Sequence, residues 1–180
     1  MSLEGINIAI LAENGYEDLE LWYPLYRLKE EGATVTVIGS GTSQTYKSKH
    51  GYPVKVDTNT HDAQATEYDG LIIPGGWAPD QMRRHQSMID FVKEIFNSGK
   101  VVGAICHAGS LLVSANVLRG KTITCFMAIK DDMINAGGNY IDKEVVRDGN
   151  LITSRTPQDL PAFSKEIINA LTETKSRSTT

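Results

Sequence analysis

The chain has 180 residues, 41% of them hydrophobic and 22% charged, with a formal charge of −4. That length suits one domain with a real core, and the acidic balance, without any Lys/Arg block, speaks against a nucleic-acid or anionic-membrane partner. No apolar run approaches the ~20 residues of a membrane span, Met1 to Ile10 does not read as a signal peptide, and two cysteines are too few for a disulfide framework, so a reducing, cytoplasmic setting is expected.

Gly5 to Leu11 reads as a buried strand. Leu19 to Glu31 reads as a helix: Leu21, Trp22, Leu25 and Leu28 recur at three- and four-residue steps, and Gly32 stops it. Thr34 to Gly39 is a second strand. Tyr46 to Asp57, with Gly51 and Pro53, reads as a loop or hairpin with strand character around Val54 to Val56. Asp69 to Ile73 is a third core strand, ending at Pro74-Gly75-Gly76. Pro79 opens a helix, and Ser87 with Asp90 resembles a capping pair for another through Phe96. Val101 to Ile105 is the fourth core strand, and His107 to Ala115 reads as the helix after it. Beyond Gly120 follow a strand (Lys121 to Phe126), a helix (Ala128 to Ala136), a strand pair (Glu144 to Arg147, Leu151 to Ser154) and a closing helix (Leu160 to Leu171). Thr172 to Thr180 is polar and expected to fray. No repeat or linker divides residues 1–180, so a single domain is expected. Strands alternating with helices predict a mostly parallel sheet covered on both faces, with the ligand site beyond the carboxyl ends of its strands. The loops after Leu11, Ile73 and Ile105 converge there.

Cys106 sits at the third of these places, between an apolar strand and a helix, the position of a nucleophile elbow. Ala104 and Ala108 supply the small residues that a crowded corner needs. The helix that follows points its N–H groups at the sulfur, which favours thiolate. Glu13 to Glu20 places several carboxylates beside this corner, and a protonated carboxyl facing the sulfur would hydrogen-bond a thiolate. Bare N–H groups at Gly75, Gly76 and His107 are candidates for an oxyanion hole. His107 adjoins the nucleophile, but adjacent side chains on a turn diverge, so sequence alone does not make it an in-line base. The histidines are His50, His61, His85 and His107, and none follows His107, which removes a glutamine-amidotransferase-type triad with its downstream histidine. His61 and His85 read as solvated, and Cys125 as an inert strand cysteine. No Cys/His pair has structural-zinc spacing, no dinucleotide fingerprint follows a strand, and there is no P-loop, so neither metal nor cofactor is expected.

Six segments together resemble the ThiJ/PfpI superfamily and, within it, the PfpI-type intracellular proteases and general-stress relatives. They are Gly15 to Glu20 with Tyr23-Pro24, Lys49-His50-Gly51, Pro74 to Asp80, Ala104 to His107, Asp131 to Gly137 and Thr153 to Pro157. The resemblance covers Ile6 to about Leu171. It implies a flavodoxin-like three-layer sandwich of the class I glutamine amidotransferase type, with Cys106 as nucleophile, His107 as its partner and Glu20 as the carboxylate beside the sulfur. It also implies a third triad acid supplied by a neighbouring subunit, matching Asp80 here where the protease has glutamate. Ala108-Gly109 stands where the family usually has Gly-Pro, and Trp77 where arginine is common. Family members are described as proteases, as glyoxalases or deglycases, and as stress-linked redox or chaperone proteins, and they form dimers to hexamers. The expected function is therefore cysteine-dependent hydrolysis of small carbonyls or glycated adducts. The alternatives are an oligomer-dependent peptidase and a redox-sensing chaperone without turnover.

Overall fold

The computed structural model describes residues 2–178. Seven strands form the main sheet in the order β10-β11-β7-β6-β1-β2-β5. These are β1 (Asn7–Ala12), β2 (Thr34–Gly39), β5 (Thr58–Asn59), β6 (Gly70–Ile73), β7 (Val101–Ile105), β10 (Val145–Asp148) and β11 (Leu151–Ser154). All neighbours pair in parallel except β10 with β11. Strands β6 and β7 are buried along their whole length, as expected of central parallel strands with both faces covered. Helices α1 (Asp18–Glu30) and α6 (Leu160–Ser178) cover one face. Helices α2 (Ala78–Met82), α3 (Gln86–Asn97) and α4 (Gly109–Ala115) cover the other, with α5 (Lys130–Asn135) against α4. The result is the flavodoxin-like three-layer α/β sandwich expected from the sequence. In α3, Met88, Phe91, Val92 and Ile95 are buried, the one-sided spacing that lays a helix on a sheet.

Tyr46 to Asp57 is a hairpin, with β3 (Thr45–Lys47) antiparallel to β4 (Pro53–Lys55). Three expectations need correction. The strand after Gly120 is only β8 (Thr122–Ile123), paired in parallel with β9 (Asn139–Tyr140) outside the main sheet. It stops because the next N–H groups turn inward: Thr124 donates to Thr153 Oγ1 at 2.9 Å and Phe126 to the Cys106 carbonyl at 3.2 Å. Ser87 and Asp90 do not cap α3: Ser87 Oγ pairs with Thr60 Oγ1 at 2.8 Å, and Asp90 accepts from Gln86 at 2.9 Å. The closing helix does not end at Leu171. It continues to Ser178, with the Thr172, Thr174 and Ser176 hydroxyls bonded to carbonyls one turn back, and residues 179–180 of the expected frayed tail lie outside the described residues.

Candidate active site

Cys106 follows β7 directly and has φ +61°, a left-handed conformation that a residue with a side chain adopts at a cost of about 1–3 kcal/mol. A 3-10 turn over Cys106–Ala108 leads into α4, and Ala104 and Ala108 are buried where bulk would not fit. The corner is the elbow expected from the sequence.

The loops after β1 and β6 meet it. Tyr16 bridges to Gly76, Glu17 N–H donates to the Gly75 carbonyl at 3.2 Å, and Trp77 N–H donates to the Gly15 carbonyl at 2.8 Å. This stitching leaves the Gly76 N–H free to turn to the Cys106 sulfur, beside the N–H of His107. Gly76 has φ +75°, and a Cβ there would lie 2.5 Å from Glu17 N and Gly15 O. The N–H of Gly75 does something else. It donates to Glu20 Oε2 at 2.7 Å, so of the three oxyanion-hole candidates only Gly76 and His107 offer donors to the sulfur.

Glu20 projects from the first turn of α1 and is completely buried. Its Oε1 makes no conventional hydrogen bond among the described residues, and the other polar group its carboxyl meets is the Cys106 thiol. Burial pushes the carboxyl up to about 8, against the pull of the Gly75 N–H, and the charge of Glu17 adds to the rise. Burial likewise pushes the Cys106 thiol up to about 12, and a charged Glu20 adds to it, while the His107 and Gly76 N–H groups act the other way. Desolvation thus opposes the ionisation that the two N–H donors favour, most strongly while Glu20 carries its charge. A protonated Glu20 reverses its part in this: it removes a neighbouring anion and offers a donor to a thiolate.

His107 Nδ1 lies 3.4 Å from Sγ. The two side chains do not diverge as adjacent residues on a turn should. Burial holds the imidazole below its ordinary range against the opposing charge of Asp80, and Lys49 adds to the lowering. Asp80 itself is exposed in the first turn of α2 and makes no hydrogen bond to the ring within the chain. Lys49 Nζ sits 3.1 Å from Glu17 Oε2 and 5.5 Å from the Trp77 ring centroid, at the mouth of the site. Trp77 is 63% exposed. Among the described residues, one trio, Glu17, Asp18 and His50, has ligand atoms within 4.8 Å of one another. Its groups are engaged: Glu17 with Lys49, and Asp18 with Ser48 at 2.6 Å and His50 at 2.7 Å. Cys125 is buried just past β8, with burial raising its thiol to about 12.

Gly75 is the spacer that lets carboxyl and thiol meet. A Cβ there would lie 2.5 Å from Glu20 Oε2 and 2.8 Å from Cys106 Cβ. Gly75→Ala should cost about 1–3 kcal/mol in chemical denaturation and slow alkylation of Cys106, since the two groups must separate.

A strained cysteine above the carboxyl ends of a parallel sheet, beside a buried carboxyl and two free N–H groups, defines a family of α/β proteins. The chain belongs to the DJ-1/PfpI family, whose model matches residues 6–170. It is 45% identical over 166 residues to Deglycase PH1704 of Pyrococcus horikoshii, covering 92% of this chain and 99% of that one. It is 41% identical over 164 residues to YraA of Bacillus subtilis, whose name carries a provisional cysteine-protease assignment, covering 91% of this chain and 97% of that one. A two-domain protein from Anabaena variabilis, with DJ-1/ThiJ/PfpI-like and ferritin-like domains, superposes with a TM-score of 0.90 at 45% identity, over 92% of this chain and 48% of that one. Drosophila melanogaster DJ-1beta superposes at 0.86 with 28% identity, over 93% of this chain and 90% of that one. No helix among the described residues is long and apolar enough to cross a membrane.

Phe126 and the Lys49–Glu17 pair were missed in the sequence as parts of this site. Lys49 lies in a segment that carries the family resemblance, which was a usable signal. Phe126 follows an inert cysteine, and nothing local marks it.

Proposed function

We propose that this chain is a cysteine-dependent enzyme of the glyoxalase or deglycase kind, acting on small carbonyl compounds or glycated adducts through Cys106. The observation that carries the reading is the meeting of a left-handed cysteine with a buried carboxyl poised near 8 and two free main-chain N–H groups. The relatives named deglycases support it.

With methylglyoxal the steps balance without an outside oxidant. The neutral His107 takes the thiol proton as Sγ bonds to the aldehyde carbon, and Glu20 gives its proton to the aldehyde oxygen, forming a hemithioacetal. The Glu20 carboxylate then takes the hydrogen of that carbon as a proton. Through an enediol the proton is delivered to the neighbouring carbon, while His107 moves the hydroxyl protons. The first carbon ends oxidised as a thioester and the second reduced to an alcohol, with Glu20 ionised and His107 protonated. Water cleaves the thioester to lactate and the free thiol; it returns one proton to Glu20, and His107 returns its own to the sulfur. The N–H groups of Gly76 and His107 hold negative charge as it develops on sulfur or oxygen. The test follows methylglyoxal loss and lactate formation together. Equimolar lactate supports the reading, and loss without lactate counts against it.

A second reading, an oligomer-dependent cysteine peptidase or amidase, draws on the name of the Bacillus relative and on the charge of Asp80 acting on His107. It requires Asp80 of a neighbouring copy to reach the imidazole, and Asp80→Asn should then abolish peptide cleavage while leaving carbonyl turnover in place. For assembly we propose a homo-oligomer that buries the outer side of α1. Leu19, Tyr23 and Tyr26 are exposed there at helical spacing, and Trp22 stacks on Tyr26 and meets Tyr52 edge-on. Leu19→Glu with Tyr26→Glu should convert the oligomer to a monomer in analytical ultracentrifugation, and a wild-type monomer would contradict the proposal. Two free cysteines fit a reducing compartment such as the cytoplasm.

A further inference from the structure

We propose that Phe126 is a positioning residue that sets the imidazole of His107 against the Cys106 sulfur by stacking on its face. The inference deepens the cysteine-nucleophile reading of this site.

The His107 and Phe126 rings lie 4.7 Å apart between centroids with 29° between planes. The torsion that turns an imidazole about its bond to Cβ is soft, so a histidine needs an external restraint to aim one nitrogen. The usual restraint is a carboxylate or carbonyl hydrogen-bonded to the other nitrogen. Among the described residues, His107 has none: its ring makes one side-chain hydrogen-bond contact, Nδ1 with the sulfur at 3.4 Å. The charges of Asp80 and Lys49 act on the ring without a hydrogen bond to it. The flat face of Phe126 is the restraint that remains.

Phe126 is itself fixed. Its N–H donates to the Cys106 carbonyl at 3.2 Å, and its carbonyl accepts from Ile129 N–H at 3.1 Å. Two residues upstream, Thr124 N–H is tied to Thr153 Oγ1 on β11. One residue thus holds the main chain of the strained cysteine and the ring of its neighbour together. The short β8 has a purpose in this light: the chain leaves the strand early and brings Phe126 over the elbow. The stack also covers one face of the imidazole, and burial favours its neutral form, the one able to accept the thiol proton.

The test compares Phe126→Ala, Phe126→Leu and Phe126→Tyr with wild type by two measurements that use no carbonyl substrate. One is the rate of Cys106 alkylation by iodoacetamide across pH. The other is the NMR titration midpoint of His107. Phe126→Ala should slow alkylation at neutral pH by about 10-fold or more and move the His107 midpoint upward as water reaches the ring. Phe126→Leu, which fills the space without an aromatic face, should keep the fold and still lose rate, while Phe126→Tyr should keep both properties. A folded Phe126→Leu with wild-type alkylation and midpoint overturns the proposal, even if Phe126→Ala fails to fold. Because lactate formation is not a readout, failure of the glyoxalase reading and failure of this one are separable.

Discussion

Cys106→Ser should reduce methylglyoxal turnover by at least about 1,000-fold while leaving the melting temperature nearly unchanged. Serine fits the corner: it is smaller than cysteine, keeps the same backbone demands, and accepts the Gly76 and His107 N–H groups as sulfur does. What it lacks is an ionisable, polarisable nucleophile. The protein already makes the thiolate costly, with the thiol pushed up to about 12 in the presence of a charged Glu20. An alcohol is a far weaker acid than a thiol, and the His107 ring has no carboxylate hydrogen-bonded to it among the described residues to help it take that proton. Cys125→Ser serves as the internal control, because that thiol is buried and lies outside the proposed proton path. Loss in both variants to the same degree would point to a folding defect, and loss in neither would remove the proposed mechanism.

Glu20→Gln should make the protein more stable and less active. In the unfolded chain the carboxyl titrates near its ordinary value of 4.5, whereas burial in the fold raises it to about 8. The folded state therefore binds more protons between these values, and stability falls as pH rises from the lower to the higher. At pH 7 this loss is ~3 kcal/mol, and glutamine, which does not titrate, removes it. The variant should melt about 5–10 °C higher at pH 7, an advantage that vanishes below pH 4, where both states hold the proton. Its amide oxygen still accepts from the Gly75 N–H, so the local geometry survives. Turnover should fall by at least about 100-fold, because an amide neither gives a proton to the aldehyde oxygen nor takes one from the carbon. Wild-type turnover should decline as pH rises through about 8, where Glu20 loses the proton it must donate. Alkylation of Cys106 at neutral pH should change little in the variant, since the neutral amide places no charge beside the sulfur. That contrast separates a proton-transfer role from a structural one.

The layered sheet was legible because strand and helix periods alternate along the chain, and each is a local signal. Cys106 was legible for the same reason: a strand run, a small residue on either side and a helix run mark an elbow without knowledge of any contact. Glu20 was one of several carboxylates in its segment, and only family resemblance singled it out. What chooses it is burial against Gly75 and Cys106, which lie 55 and 86 positions further on. The assignment of the N–H groups was partly legible. Pro74-Gly75-Gly76 announces a tight turn, but which glycine faces the sulfur depends on how Tyr16 and Gly15 stitch to it. The direction of His107 was misread, because a left-handed residue at 106 rotates the next side chain toward the sulfur rather than away from it. The burial that opposes the thiol's ionisation was not legible either. Helix polarity is a local argument, whereas desolvation belongs to the packed site.

The reactive atom can be identified directly by intact-mass measurement and peptide mapping after rapid mixing with methylglyoxal. A covalent adduct confined to the peptide bearing Cys106 in the wild type, and absent from Cys106→Ser, is the predicted result. Undiminished lactate formation with the label elsewhere, or with no label on that peptide in any variant, would contradict the account.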